Sequence, residues 1–495
     1  MSLTQLHLVL LVSAGVLLAA IVAVRVSSRT GLPSLLLYLG LGLALGTDGL
    51  GVEFDDAALA QALGYVALAV ILAEGGLTTR WRTIRSAVPS AVVLSTVGVA
   101  VSVALVAGFT RLTLGVGWRE ALLLGAIVSS TDAAAVFSVL RRLPLSRRLV
   151  GTLEAESGFN DAPVVIMVAA LAAADPAARD LTEMAGALVY ELACGAGIGL
   201  AVGALGVYAL RQAALPSSGL YPLAVLALVV GGYAAASSVH ASGFLATYLT
   251  GLVLGNARLP HGPATRSFVE GLGWLAQIGL FILLGLLASP HTMAGAVLPA
   301  LGIGTFLLLV ARPLSVACSL LPFRIPLREQ ALVSWAGLRG AVPIVLATVP
   351  MVSGMELGRW LFDIVFVLVV VFTLVQGPTL PAVARWLRAD SGLGVRDLGV
   401  ESAPLGHLDA QLLEVQVPTG SRLAGVEIFE LRLPKGAAIT LVVRDGTSFV
   451  PAETTRLQEG DELLVVCAEQ VQVEAEDRLR AVNQGGKLAR WLGIG

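Results

Sequence analysis

The chain has 495 residues, of which 56% are hydrophobic and 13% charged, with a net charge of −2 and a pI near 6.2. A soluble protein carries about a quarter charged residues, so this composition excludes an ordinary cytoplasmic domain and points to a membrane protein. The slightly acidic balance offers no basic surface for nucleic acid, and the three cysteines, Cys194, Cys318 and Cys467, lie too far apart for a disulfide framework or a metal motif. The five histidines are dispersed and none stands beside a nucleophile, which disfavours an intramembrane hydrolase; the chain does not read as an enzyme.

In chain order, apolar stretches near the length needed to cross a hydrocarbon core recur to about residue 388. About thirteen can be drawn, near 6–24, 32–47, 57–77, 88–110, 119–140, 149–174, 184–210, 220–237, 241–256, 268–288, 293–321, 328–352 and 357–387. The first has no basic stretch before it and no small-residue cleavage site after it, so it reads as a membrane helix and not as a removed signal. Arginine alternates between loops. Arg80, Arg82 and Arg85, then Arg141, Arg142, Arg147 and Arg148, then Arg324 and Arg328 fall on one side, while 47–56 carries none. The excess of positive charge on cytoplasmic loops therefore places the N-terminus outside and everything beyond 388 in the cytoplasm.

Ionisable residues inside such segments are expensive and mark sites. The third segment ends with Glu74, which either caps the interface or faces a cavity. The fifth contains Ser129-Ser130-Thr131-Asp132-Ala133-Ala134-Ala135, a run of small and polar residues suited to local unwinding, where freed carbonyls and hydroxyls coordinate a cation. The sixth contains Glu154-Ala155-Glu156-Ser157-Gly158-Phe159-Asn160-Asp161. Ser157 and Asp161 share a helix face, as do Glu156 and Asn160. Glu156 and Asp161, five apart, project about 140° from each other, so one lines a cavity while the other meets neighbouring helices. The twelfth contains Ala336-Gly337-Leu338-Arg339-Gly340-Ala341-Val342-Pro343, in which Arg339 keeps its charge and needs an anion; Glu156 is the natural partner. Arg312 in the eleventh segment needs one too, with none evident. Asp363 has Arg359 one turn before it, which reads as a simple ion pair, and Gly195, Gly197 and Gly199 read as positions of close helix packing. Segments five and twelve run in opposite directions by the loop charges, and paired interrupted helices in inverted halves point to the ion site of a secondary transporter.

After a polar linker at 389–404 the pattern changes to short alternating strands, at 412–417, 438–443 and 463–466, separated by Asp445-Gly446 and Glu459-Gly460-Asp461. Residues 405–471 read as a small α/β module and 472–495 as a polar tail of helical pattern. The fold class expected is thus an all-α polytopic membrane protein with inverted repeats and discontinuous helices, followed by a small cytoplasmic α/β domain.

Thr131-Asp132, the run Glu156-Ser157-x-x-Asn160-Asp161 and Gly337-Leu338-Arg339-Gly340-Ala341 resemble the cation:proton antiporters of the NhaP-like branch over about residues 1–388, most closely the potassium/proton subgroup. The module is similar to TrkA-C regulatory domains, notably at Val443-Arg444-Asp445-Gly446 and Leu457-Gln458-Glu459-Gly460-Asp461. The resemblance implies a homodimer in the bacterial inner membrane that exchanges potassium or sodium for protons, with lipid around it and no cofactor. It implies that Asp161 alternately holds a proton or a cation, that Thr131, Ser157, Glu74 and Asp132 coordinate or orient the cation, that Asn160 supports the unwound segment, and that Glu156 and Arg339 form a structural pair. The Asn160-Asp161 pair, where other antiporters have two aspartates, implies electroneutral exchange. A small-molecule ligand at the module is compatible with its regulatory type. One departure is Ala162-Pro163 after the aspartate, where many members have glycine. A regulated channel and a membrane sensor are the alternatives; the former needs a selectivity-filter loop that the sequence lacks, and the latter leaves the buried carboxylates unexplained.

Overall fold

The computed structural model describes residues 3–30, 32–132, 147–173, 181–387, 399–404, 410–418 and 420–486. Ala133 to Phe137, the Arg141 and Arg142 loop, most of the linker and the last nine residues lie outside the described residues. The chain divides into two compact units, 1–389 and 390–495.

The first unit is helical: α1 (Leu3–Thr30), α2 (Ser34–Leu45), α3 (Ala57–Thr78), α4 (Val88–Leu114), α5 (Trp118–Ser129), α6 (Arg147–Ala172), α7 (Leu181–Gln212), α8 (Leu220–Ser238), α9 (Gly243–Asn256), α10 (Gly262–Leu287), α11 (Ala294–Phe323), α12 (Leu327–Trp335), α13 (Ala341–Val352) and α14 (Gly358–Trp386). Among the described residues eight helices, α1, α3, α4, α7, α8, α10, α11 and α14, are long and apolar enough to cross a membrane. The helices outside that set include those carrying the polar residues singled out above. α5 stops at Ser129 where the polar run begins, α6 bears three carboxylates, and α12 and α13 are two halves of one segment broken at Ala336–Gly340. A local break in helical hydrogen bonding is affordable at such depth only where neighbouring protein satisfies the backbone.

α6 packs against α4, α5 and α13, and α13 also lies on α3, α5 and α14. α7 and α9 approach closely because Gly195 and Gly199 carry no side chain: a Cβ at Gly195 would come 2.7 Å from the Ser242 carbonyl oxygen and one at Gly199 2.6 Å from that of Ala246. A Cβ at Gly197, on another face, would meet nothing. Both α4 and α11 contain one π-helical turn, Leu94–Gly98 and Leu307–Ala311. Ser315 Oγ donates to the Gly98 carbonyl at 2.7 Å, joining α11 to the turn in α4, and Ser95 Oγ donates to the carbonyl of Glu156 at 3.2 Å. Such turns concentrate at functional sites because they re-aim the residues that follow.

The second unit is a five-stranded antiparallel sheet in the order β1-β2-β5-β3-β4, with β1 (Gly399–Pro404), β2 (Ala410–Gln416), β3 (Ala437–Arg444), β4 (Thr447–Phe449) and β5 (Glu462–Ala468). One face of β2, β3 and β5 supplies Leu413, Val415, Val442, Leu463, Val465 and Cys467 to a core of its own. α15 (Gln472–Gly485) adds Ala475, Leu479 and Val482 to that core. Residues 472–485 are therefore part of the folded unit and not a separate tail: three apolar positions at helical spacing sit within a polar sequence, a stripe that average polarity hides. Likewise 399–404, assigned above to the linker, pairs as a strand with β2. Asp461, fully buried, is held by the forked guanidinium of Arg444, with Nε to Oδ1 and Nη2 to Oδ2 both at 2.8 Å, and accepts from the Gln458 amide at 2.8 Å.

Candidate functional site

The two interruptions meet. After α5 the backbone of Ser130 turns extended, and the amide of Asp132 donates to the carbonyl of Leu338 at 2.9 Å, so the unwound stretch beyond α5 crosses the stretch between α12 and α13. Gly340 permits the crossing, because a Cβ there would collide with the Asp132 carboxylate. The carbonyls that unwinding frees are met by side chains. Thr131 O accepts from Ser157 Oγ at 2.8 Å, Arg339 O from Thr373 Oγ1 at 2.9 Å, Trp335 O from Gln376 Nε2 at 2.9 Å, and Gly337 O from Arg339 Nη1 at 2.8 Å. Buried backbone groups need such partners wherever water is absent.

Asp161 projects from α6 onto this crossing, and Ser130 Oγ donates to its Oδ1 at 2.6 Å. Asn160, on the next position, donates from Nδ2 to Thr131 Oγ1 at 2.5 Å, while its own Oδ1 is buried with no hydrogen-bond partner among the described residues. Thr131, Ser157, Asn160 and Asp161 are all nearly inaccessible. α6 runs unbroken through Pro163, so the Ala162-Pro163 departure leaves the helix in place. The arrangement is a carboxylate surrounded by hydroxyl and carbonyl oxygens in an apolar bundle. Hard monovalent cations and protons are the species that such oxygens exchange.

The residues expected from sequence fall into place unevenly. Thr131, Ser157, Asn160 and Asp161 are drawn together by the contacts above. Asp132 is fixed through its backbone, with its carboxylate against Gly340. Glu74, on α3, has its carboxylate against Gly273 of α10, where a Cβ would fall 2.9 Å from Oε2. The expected pairing of Glu156 with Arg339 is corrected: Glu156 Oε1 stands 2.6 Å from Arg312 Nη2, both side chains almost wholly buried. The contact lacks the alignment of a hydrogen bond, and Arg312 Nε and Nη2 and Arg339 Nε have no hydrogen-bond partner among the described residues. Both guanidiniums line one small cavity with Ser334 and Gln376, beside Gly337. Helical periodicity told which way Glu156 points; it did not tell which of two cations waits there. Ser130 was missed as a ligand of Asp161, although its place beside Thr131 in the polar run was the available signal. Arg359 and Asp363 do pair, at 3.5 Å, and Arg359 also donates to Ser289 Oγ at 3.0 Å.

Apolar helices of spanning length, with the extended stretch after α5 crossing the break between α12 and α13 at a buried carboxylate, make the architecture of a membrane secondary transporter. The chain belongs to the sodium/hydrogen exchanger family, whose transmembrane profile matches residues 16–386, and the TrkA-C domain profile matches residues 412–479. It is 36% identical to the K(+)/H(+) antiporter NhaP of Alkalimonas amylolytica over 471 residues, 93% of this chain and 81% of that protein. It is also 36% identical to the K(+)/H(+) antiporter NhaP2 of Shewanella sp. strain ANA-3 over 476 residues, 94% of this chain and 82% of that one. In fold it is similar to the sodium proton antiporter MjNhaP1 of Methanocaldococcus jannaschii, with a TM-score of 0.63 and 21% identity, covering 78% of this chain and 99% of that one.

Proposed function

We propose that this protein exchanges a monovalent cation, with potassium favoured over sodium, for a proton across a bacterial inner membrane, one for one and without net charge movement. The observation that carries the reading is Asp161 held by Ser130 where the extended stretch after α5 crosses the break between α12 and α13. The relatives aligned over nearly the whole chain, which are named potassium/proton antiporters, supply the choice of cation.

The mechanism is competition at one carboxylate. A bare carboxylate deep in an apolar bundle is costly, so either a proton or a partly dehydrated cation neutralises it, and not both. With a cation, Ser130 Oγ and Ser157 Oγ rotate their lone pairs toward it and the Thr131 carbonyl adds a third oxygen. With a proton, Asp161 itself becomes a donor within the same oxygen set. Asn160 keeps Thr131 in place through either state, and Glu74 and the Asp132 carboxylate set the field around it. Only the neutralised site crosses between the two access states, which ties the two fluxes together. A single carboxylate beside Asn160 gives one charge for one charge. The protein works as a homodimer embedded in lipid, N-terminus outside, with the TrkA-C domain in the cytoplasm adjusting activity in response to a small ligand; no cofactor enters the cycle.

The test is a reconstituted vesicle with a pH-reporting dye. Potassium is expected to dissipate an imposed proton gradient without a change in membrane potential, and Asp161→Asn is expected to abolish this in a correctly inserted protein. Exchange retained by Asp161→Asn overturns the reading, and current without an opposing proton gradient makes the protein a channel.

A further inference from the structure

The mechanism above leaves Glu154 unused, although it lies in the same helix as Asp161. The two are seven residues apart, which is two turns and about 10.5 Å along the axis on one face of α6. Gly158 lies between them on that face. Glu154 and Gly158 are partly accessible and Asp161 nearly buried, so exposure falls along this face toward the exchange site.

Oxygens gather around Glu154. Thr79, at the end of α3 and 3% exposed, donates from Oγ1 to Glu154 Oε1 at 2.7 Å. Tyr248 of α9, also 3% exposed, has a phenolic oxygen without a hydrogen-bond partner among the described residues, and it lies within reach of both Thr79 and the Glu154 charge. A buried hydroxyl without a well-aligned partner is expensive, and a bound water or ion is one way to satisfy it. The cradle is rigid. Asn256 accepts the Trp81 amide at 2.8 Å and donates to the Thr79 carbonyl at 2.9 Å, pinning the turn that carries Thr79. The Tyr248 ring stacks edge-on against Phe159 and lies directly over Gly158, where a Cβ would fall 2.5 Å from its Cζ. Arg80 is also in electrostatic reach of Glu154.

We propose that Glu154, Thr79 and Tyr248 form a second cation site, a transit site at which a partly dehydrated monovalent cation is held before it passes the Tyr248 ring to Asp161. The proposal rests on the antiport reading. The Glu154 carboxylate provides the charge, the two hydroxyl oxygens replace water in the cation's shell, and the ring over Gly158 separates the two sites. Because the site holds the cation outside the step that commits it to exchange, it governs apparent affinity and leaves the maximal rate to Asp161.

The full-length protein in proteoliposomes tests this with potassium chloride as the titrated salt. Glu154→Gln is expected to raise the half-saturating potassium concentration about tenfold, equivalent to about 1.4 kcal/mol, with the maximal rate within about twofold of the parent. Thr79→Val is expected to raise it about threefold, and Glu154→Asp to restore most of the affinity. Asp161→Asn, run in parallel, separates the two ideas: if it is inactive while Glu154→Gln or Thr79→Val keeps the parental half-saturation, the transit site is wrong and the antiport reading stands. If Asp161→Asn still exchanges, both fall. Should Glu154→Gln fail to insert, Thr79→Val and Tyr248→Phe carry the same comparison, and parental half-saturation in both overturns the site.

Discussion

Arg312 reaches Glu156 from α11 with its Nη2 2.6 Å from Oε1, while Arg339, on the unwound stretch between α12 and α13, turns its Nη1 back to the carbonyl of Gly337. Two buried cations thus share the neighbourhood of one carboxylate, and only one of them makes the contact. Removing one member of a buried pair strands the other, which costs about 3–5 kcal/mol. Arg312→Met is therefore expected to lower thermal stability in detergent more than Arg339→Met does. The double variant Arg312→Met with Glu156→Met should recover most of the loss, because an apolar pair of similar volume strands no charge. A larger loss for Arg339→Met than for Arg312→Met would return the pairing to Arg339.

The crossing makes a second prediction. Gly340→Ala places a methyl group on the Asp132 carboxylate and cannot be accommodated without separating the two unwound stretches. Gly337→Ala meets only the ends of the Arg312 and Arg339 side chains, at 2.9 and 3.1 Å. Exchange in vesicles is expected to fall at least tenfold for Gly340→Ala and by much less for Gly337→Ala, at matched protein insertion. The reverse order would mean that the crossing is not the site.

Outside the bundle, Asp48 accepts from the His291 amide at 3.0 Å and lies 2.8 Å from His291 Nδ1, tying the loop after α2 to the turn before α11. The His291 contacts, through side chain and then backbone, hold the Asp48 carboxyl below its ordinary range. A carboxyl depressed in the folded state contributes stability that is present above its unfolded value of about 4 and is lost as pH falls through the lower folded value. Hydrogen exchange in 46–51 is expected to stay constant from pH 7 to about 5, after correction for intrinsic rates, and to rise below about 4. Asp48→Asn should remove that pH response while accelerating exchange at pH 7 by no more than about fivefold, the pair being largely solvated.

In the TrkA-C unit, Arg444→Met leaves Asp461 fully buried with the Gln458 amide as its side chain's remaining partner among the described residues. Protease resistance of that unit is expected to drop, with a loss of about 3 kcal/mol. Arg444→Lys should recover part of it but not the forked contact, since an ammonium offers no planar pair of donors. Unchanged resistance in Arg444→Met would show that the fork is incidental.

Much of this was legible in the sequence for a physical reason. A membrane segment has few ways to tolerate Ser130-Thr131-Asp132 or Gly337-Leu338-Arg339-Gly340, so the unwinding could be read from residue type alone. Asp161 and Glu156 pointing apart follows from helical geometry. What stayed hidden depends on how helices pack. Arg312 and Arg339 carry the same charge, and which one Glu156 meets is fixed by the placement of α11, which periodicity does not encode. Ser130 reaches Asp161 only because the backbone there is extended. α15 was read as a tail because its polarity outweighed the three-residue stripe of Ala475, Leu479 and Val482.

The π-helical turns at Leu94–Gly98 and Leu307–Ala311 carry a further consequence. Each holds one residue more than an α-helical turn, and forcing that residue into regular winding would rotate everything beyond it by about 100°. In α11 the rotation would swing Arg312 off Glu156 and Ser315 off Gly98 together. The two wide turns are thus part of the wiring of the site: they set the rotation at which α4 and α11 present every side chain beyond them.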